Sequence, residues 1–400
     1  MRTRNENIFD SFENLSSFEN LYNAHKSCRK GKRWKDSVAI YDIRALESTL
    51  YLQWLLRTDR YQISEYNCFQ VNERGKVRDI KSTKYKDRVV QKSLYDNLLE
   101  PRMMPTLIYA NGASQKGKGT DFQIDILTED LRSFWRRNGT DGYILVCDLK
   151  GYFDSIKHKL VDDIYAGEFK DEKVMALIRH IHASIPGGVG VPLGNQLSQI
   201  DALLAASPID HMAKERLGIK YYGRYMDDFY LIHKDKAYLE YCLREIEKMA
   251  TELGLTLNLK KTKIVPVTTG INFLGFRFYI TKTGKVVRRM RPARKNHEKQ
   301  KLRKQLKKLE EGKMTIEDVK ESYESWKAHA ARGDTYYLLR AMDKYFNKLF
   351  QQYLKGGKGQ DVENIRQSTG RSLDKGPRDE VQRQGDHLEE GGSRAQPGSS

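Results

Sequence analysis

Two adjacent aspartates, Asp227 and Asp228, sit in the stretch YYGRYMDDFYLIH (Tyr221–His233), between two runs of apolar and aromatic residues. An Asp pair at a turn is common in itself, because Asp tolerates turn conformations and accepts backbone hydrogen bonds. Here, however, Phe229 with Leu231 and Tyr230 with Ile232 make the strand apolar on both alternating faces. Unpaired carboxylates in so dry a turn are costly, and a divalent cation relieves that cost. A third carboxylate, Asp148, closes the buried run YILVC of GYILVCDL (Gly142–Leu149). If the two strands are neighbours, three carboxylates converge. That set suits Mg²⁺, a hard ion held by one or two carboxylates together with substrate phosphates. Two such ions about 3.5 to 4 Å apart can activate a hydroxyl and stabilise a leaving pyrophosphate. The chain carries its own control in HKLVDDIYAGEF, where Asp162 and Asp163 fall in a helical pattern and read as a solvated face.

Composition agrees with a phosphate-rich partner. The 400 residues carry 71 Lys and Arg against 53 Asp and Glu, a formal charge of +18, which favours nucleic acid first and an anionic membrane surface second. No run of roughly 18 apolar residues appears, and MRTRNENIFDSFENLSS lacks the apolar centre of a signal peptide, so a cytoplasmic location without membrane attachment is expected. Cys28, Cys68, Cys147 and Cys242 lie far apart without CxxC spacing, which points to reduced thiols rather than zinc or disulfides.

The elements that must position the carboxylates follow from periodicity. Asn14 to Asp59 favours helix, with a basic knot RKGKRWK (Arg29–Lys35). YNCFQVNERGKVRDIKS reads as a hairpin turning near Glu73, Arg74 and Gly75, followed by a helix over KDRVVQKSLYDNLLEP. Asp154 is expected to cap the helix starting SIKHKLV. A glycine-bearing loop then enters one long helix over GNQLSQIDALLAASPIDHMAKERL. KAYLEYCLREIEKMATELGL is an amphipathic helix ending at Gly254, and INFLGFRFYITKTGKVV a hairpin turning at Thr283 and Gly284. Three basic helical segments follow Arg291, one opened by a capping-box pattern at Thr315 and Asp318. After Leu354 there is almost nothing apolar and no aromatic at all, so the tail is expected to be disordered.

The order CDLKGYF, VPLGNQLSQ, YMDD, LNLKKTK, FLGF resembles the palm of reverse transcriptases, from about Tyr61 to Phe278, with the helical tail similar to a thumb. The resemblance implies an α+β fold of right-hand polymerase architecture, fingers and palm with antiparallel sheet followed by an all-α thumb. The regions are a helical extension (1–60), fingers (61–141), palm (142–290), thumb (291–354) and disordered tail (355–400). It implies RNA-directed DNA synthesis from dNTPs with two Mg²⁺ ions, Mn²⁺ able to substitute, on a template RNA with a cDNA or primer strand. Asp148, Asp227 and Asp228 match the metal ligands, with the Leu149 carbonyl as a further ligand. Phe153 matches the aromatic gate against a 2′-hydroxyl, plain core packing being the other reading. Lys76, Arg78 and Arg88 match the groups that grip the triphosphate, with surface salt bridging as the alternative. Lys116 and Lys118 in ASQKGKGT suit template phosphates. Lys261 fits the proton donor to pyrophosphate, with Lys260 or Lys263 able to replace it. Phe273, Leu274 and Gly275 match the primer grip, where a glycine suggests close approach by another backbone.

The second palm motif departs from the usual pattern. Leu193 stands before Gly194 where most members carry Gln, and Gln199 follows Ser198 where most carry Pro. An apolar residue there leaves nucleotide positioning to shape and implies lower fidelity. LGNQLSQ, RKGKRWK and DRVVQKSL are similar to the reverse transcriptases of diversity-generating retroelements, which act with a basic accessory protein. Defence-type (anti-phage) and unclassified bacterial reverse transcriptases share much of this palm. A non-catalytic RNA-binding scaffold and an RNA-dependent RNA polymerase are the readings from other classes; the intact carboxylates oppose the first and Phe153 the second. No segment resembles an RNase H, maturase or HNH extension.

Overall fold

The computed structural model describes residues 10–73 and 76–355. Contacts divide the chain into a unit spanning residues 1–343 and a second spanning 344–400. Of the tail expected to be disordered (355–400), Lys355 ends a helix and 356–400 lie outside the described residues.

In the first unit, helices α1 (Phe18–Cys28), α2 (Asp36–Ile43) and α3 (Ala45–Arg57) precede the antiparallel hairpin of β1 (Asn67–Glu73) and β2 (Lys76–Ser82). Helix α4 (Tyr85–Leu94) follows, and its Tyr85 hydroxyl meets His25 of α1 at 3.0 Å, fastening the N-terminal helices to it. Next come α5 (Thr120–Asn138), β3 (Tyr143–Asp148), α6 (His158–Glu168), α7 (Glu172–Ala183), α8 (Leu197–Ala205), β4 (Tyr221–Tyr225), β5 (Asp228–His233), α9 (Lys236–Glu252) and β6 (Lys263–Pro266). Strands β7 (Ile271–Phe273), β8 (Phe276–Ile280) and β9 (Val286–Met290) form a separate antiparallel sheet. Helices α10 (Pro292–Glu310) and α11 (Ile316–Ala330) follow, the latter opened by the expected capping box of Thr315 and Asp318. Helix α12 (Tyr336–Leu349) runs into the second unit, where a short helix covers Gln351–Lys355.

The central sheet has the order β4-β5-β3-β6, antiparallel throughout. Because side chains alternate, Leu145, Cys147, Phe229 and Leu231 enter the core shared with α6 to α9. Ile144, Val146, Tyr230 and Ile232 enter the core shared with α5 and the three-stranded sheet. A doubly covered sheet explains why these strands are apolar on both faces, and it fixes the register: a one-residue slip would exchange the two cores. In that register Asp148 lies opposite Asp228.

Four local expectations are corrected. The long helix after GNQLSQ stops at Ala205 and restarts at Ser207, because Pro208 has no N–H to continue the ladder. Asp154 lies within a helical turn, Tyr152–Ser155, while Lys157 precedes α6 without a side-chain cap. INFLGFRFYI is two strands, broken by a turn at Leu274 (φ 46°) and Gly275 (φ 94°), in addition to the turn at Thr283–Gly284. Asp163 is a surface residue paired with Lys159, but Asp162 is not: its Oδ1 lies 2.7 Å from Nδ1 of His182.

His182 is 1% exposed and is flanked on its other side by Asp201, whose Oδ2 lies 3.4 Å from Nε2. Asp201 also accepts the Tyr165 hydroxyl at 2.8 Å. Burial opposes a charge on this imidazole, but Asp201 and Asp162 outweigh it and raise the pKa to about 10 from 6.5. A pKa raised on folding stabilises fully below the unfolded value and is lost as pH rises through the folded one. The urea-unfolding free energy should therefore fall between about pH 6.5 and about pH 10 by more in the wild type than in His182→Asn. Parallel pH profiles would contradict the assignment.

Candidate active site

Strand β4 ends at Tyr225 and β5 begins at Asp228, so Met226 and Asp227 make the turn, with Met226 at φ 55°. A non-glycine residue there is strained and must be held by its surroundings. The holding group is Arg224, fully buried. Its Nη1 donates to the Met226 carbonyl at 3.1 Å and its Nη2 to the Leu203 carbonyl of α8 at 2.8 Å. Its Nε and Nη2 also grip both carboxylate oxygens of Asp210 at 2.7 Å, and the Tyr222 hydroxyl donates to Asp210 at 2.6 Å. The turn is joined to β3 as well, through the Leu149 N–H bonded to the Asp227 carbonyl at 3.0 Å. Sequence reasoning missed Arg224 and Asp210, although an arginine inside the apolar strand YYGRY was a visible signal.

Asp148 is buried at the end of β3. Its Oδ1 accepts from Asn258 at 2.8 Å and its Oδ2 from the Lys261 ammonium at 2.5 Å. The loop carrying these donors is pinned by the Asn258 N–H on the Asp148 carbonyl at 2.7 Å. Burial, followed by the charges of Asp227 and Asp148, pushes the Asp228 pKa up to about 7. Burial likewise raises that of Asp227, with Asp148 adding to the effect. The hydrogen bond to Asp148 raises that of Lys261.

Among the described residues no three His, Cys, Asp or Glu side chains are grouped closely enough to hold a metal ion by themselves. The donor set nevertheless suits a hard divalent cation. Three carboxylates, Asp148 buried and Asp227 and Asp228 half-buried, face one cleft; one of them holds its proton to about neutral pH, and an ammonium neutralises another. Asp148, Asp227 and Asp228 would hold such an ion, with substrate oxygens completing its shell.

These groups lie in a cleft of about 1410 Å³. Arg78 of β2 lines it and is close enough to lower the proton affinity of Asp227. Phe153 also lines it, edge-on to Tyr152 at 5.9 Å, and the Tyr152 hydroxyl is hydrogen-bonded to the Ala202 carbonyl of α8. Leu193 lines the cleft while its carbonyl accepts from Lys81 of β2 at 3.0 Å. Gly194 has φ +108°, and a Cβ there would press on the Lys81 carbonyl at 3.1 Å. Phe273, Leu274 and Gly275 lie at the cleft wall, Phe273 edge-on to Tyr230 at 5.5 Å. The close neighbour of Gly275 is the Arg294 guanidinium, not another backbone.

Other candidates are placed elsewhere. Arg88 donates to Ser82 at 3.0 Å and does not line the cleft. Ser198 is buried in α8, and Gln199 accepts from the Ser114 hydroxyl at 2.8 Å. Lys116 is exposed, whereas Lys118 is spent on its own loop, donating to the carbonyls of Tyr109 at 2.9 Å and Asn111 at 3.2 Å. Lys76 opens β2, and its side chain is outside the described ones.

Residues 70–278, more than half of the chain, match the family model described as reverse transcriptase (RNA-dependent DNA polymerase), and the chain belongs to that family. No curated protein matches it significantly. Apo telomerase from Candida tropicalis is similar at 14% identity, covering 61% of this chain and 53% of that one with a TM-score of 0.40. Telomerase from Candida albicans in complex with a TWJ fragment of telomeric RNA is similar at 15% identity, covering 61% and 50% with a TM-score of 0.39. The chain thus spans about half the length of these telomerases. No helix among the described residues is long and apolar enough to cross a membrane.

A cation can bind here only as protons leave, so Mg²⁺ should raise the melting temperature more at about pH 8 than at about pH 6, since Asp228 loses its proton near pH 7. In Asp228→Asn the Mg²⁺-dependent rise should shrink at both pH values. An equal rise in wild type and variant would show that the cation binds elsewhere.

Proposed function

We propose that this chain copies RNA into DNA at the corner formed by Asp148, Asp227 and Asp228. The observation that supports this most is the antiparallel register placing Asp148 opposite Asp228, with Asp227 in the adjoining turn. Residues 61–141, 142–290 and 291–354 act as fingers, palm and thumb, and the charge of +18 suits a nucleic-acid duplex. Divalent ions, Mg²⁺ or Mn²⁺, would activate a primer 3′-hydroxyl and offset charge on the leaving pyrophosphate.

The chain's own residues do the rest. Asp148, Asp227 and Asp228 supply oxygen ligands, and the Leu149 carbonyl adjoins them. Arg78 faces the same cleft with a planar fork suited to triphosphate oxygens, with Lys76 nearby in sequence. Phe153 lines the space beside Asp148 and blocks a 2′-hydroxyl, which selects dNTPs. Lys261 is kept protonated by Asp148; released when that carboxylate is engaged, it can donate its proton to pyrophosphate. Phe273, Leu274 and Gly275 hold the primer end. Lys116 is the loop cation that reaches template phosphate.

Leu193 at the cleft wall offers shape without hydrogen bonds, which supports error-prone synthesis in a diversity-generating retroelement with a basic accessory protein. An anti-phage or unclassified bacterial role is the alternative. With a primed RNA template and dNTPs, wild type should extend and Asp227→Ala/Asp228→Ala should not, while retaining template binding. Retained extension in that variant overturns the catalytic assignment. In the same assay Leu193→Gln should lower misincorporation, and an unchanged error rate would remove the basis for the retroelement reading.

A further inference from the structure

We propose that Tyr109 is a stacking platform for one unpaired base of the template RNA, presented by the loop of residues 109–119, which is bonded to β4 at Arg224. The proposal rests on the RNA-copying reading above. An exposed tyrosine alone is unremarkable in a protein surface, and the argument lies in how this one is held and where.

The ring is 72% exposed yet fixed in orientation. Phe122 meets it edge-on at 5.3 Å between centroids. The Lys118 ammonium lies 5.3 Å from the Tyr109 centroid and 5.3 Å from that of Phe122. The same ammonium donates to the backbone carbonyls of Tyr109 and Asn111, so the loop closes on a cation that also polarises the ring. An aromatic immobilised in this way loses little entropy when something stacks on it.

The location is set by backbone hydrogen bonds. The Arg224 N–H donates to the Ala110 carbonyl at 3.0 Å, and the Gly112 N–H to the Arg224 carbonyl at 3.1 Å. Tyr109 therefore adjoins a segment stitched to β4 at the residue that holds the Met226–Asp227 turn. Farther along the same loop, Ser114 is bonded to Gln199 of α8, and Lys116 stands exposed. An open aromatic face with a cation a few residues away is the arrangement that takes a base and its phosphate. Paired bases are already stacked on both sides, so the ligand class is a single strand. In a primed complex, that is template not yet copied.

The test uses the full chain bound to a primed RNA template carrying 2-aminopurine at successive unpaired positions ahead of the primer end. Wild type and Tyr109→Phe should quench the fluorophore at one position. Tyr109→Ala should abolish that quench and raise the template Kd about tenfold, with kcat at saturating template and the melting temperature little changed. The absence of a position-specific quench in wild type, or a quench and Kd preserved in Tyr109→Ala, overturns the proposal; the latter is also the result if the ring serves a protein partner. Extension is read separately. A wild type that quenches but does not extend refutes the polymerase reading alone, and one that extends with Tyr109→Ala indistinguishable from it refutes the platform alone.

Discussion

A guanidinium with no access to water sits behind the turn that carries Asp227 and holds that turn through the Met226 carbonyl. Burying Arg224 and Asp210 costs several kcal/mol of lost hydration per ion, and that cost is offset only where geometry is good and the remaining hydrogen-bonding capacity is used. Here the fork is bidentate, Asp210 takes a further bond from Tyr222, and the guanidinium reaches two backbone carbonyls. One of those carbonyls belongs to Met226, whose positive φ a relaxed turn would not keep. The other belongs to Leu203 in α8, the helix that also receives the Tyr152 hydroxyl beside Phe153. A single buried ion pair thus relates the Met226–Asp227 turn to α8.

The β1–β2 hairpin is tied to the cleft wall as well. Leu193 bridges to Ile80 in parallel fashion, and Lys81 donates to the Leu193 carbonyl. Arg78 is two residues before Ile80 on the same strand, so it shares that strand's backbone with the wall formed by Leu193. Gly194 permits the close approach, since a side chain there would meet the Lys81 carbonyl. One strand thus carries Arg78 and holds Leu193 at the cleft wall.

Much of this was legible in the sequence because it is local. Continuous apolar runs over YILVC and FYLI located β3 and β5, and the conflict between an apolar strand and paired aspartates pointed to the candidate site. The capping box at Thr315 and Asp318 and the β1–β2 hairpin were equally local. What was not legible depended on partners chosen by the fold. Asp162 looked like surface until His182 came to lie against it from another helix. Lys118 looked like a template contact, but its loop folds back and uses the charge internally. Gln199 is engaged by Ser114, distant in sequence. Arg224 stood out within an apolar strand, but its partner did not: nothing near it names Asp210 as the group that makes its burial tolerable.

The claim that this ion pair sets the catalytic turn is tested most directly by kcat for single-nucleotide incorporation in Arg224→Lys, at saturating template and dNTP, with folding verified by melting. A lysine keeps the charge but cannot grip both Asp210 oxygens while holding the Met226 carbonyl. The account predicts that kcat falls about 100-fold, as a displacement of about 1 Å at the reacting groups would cause, while template Kd stays near the wild-type value. A folded Arg224→Lys protein with kcat within about twofold of wild type would contradict it.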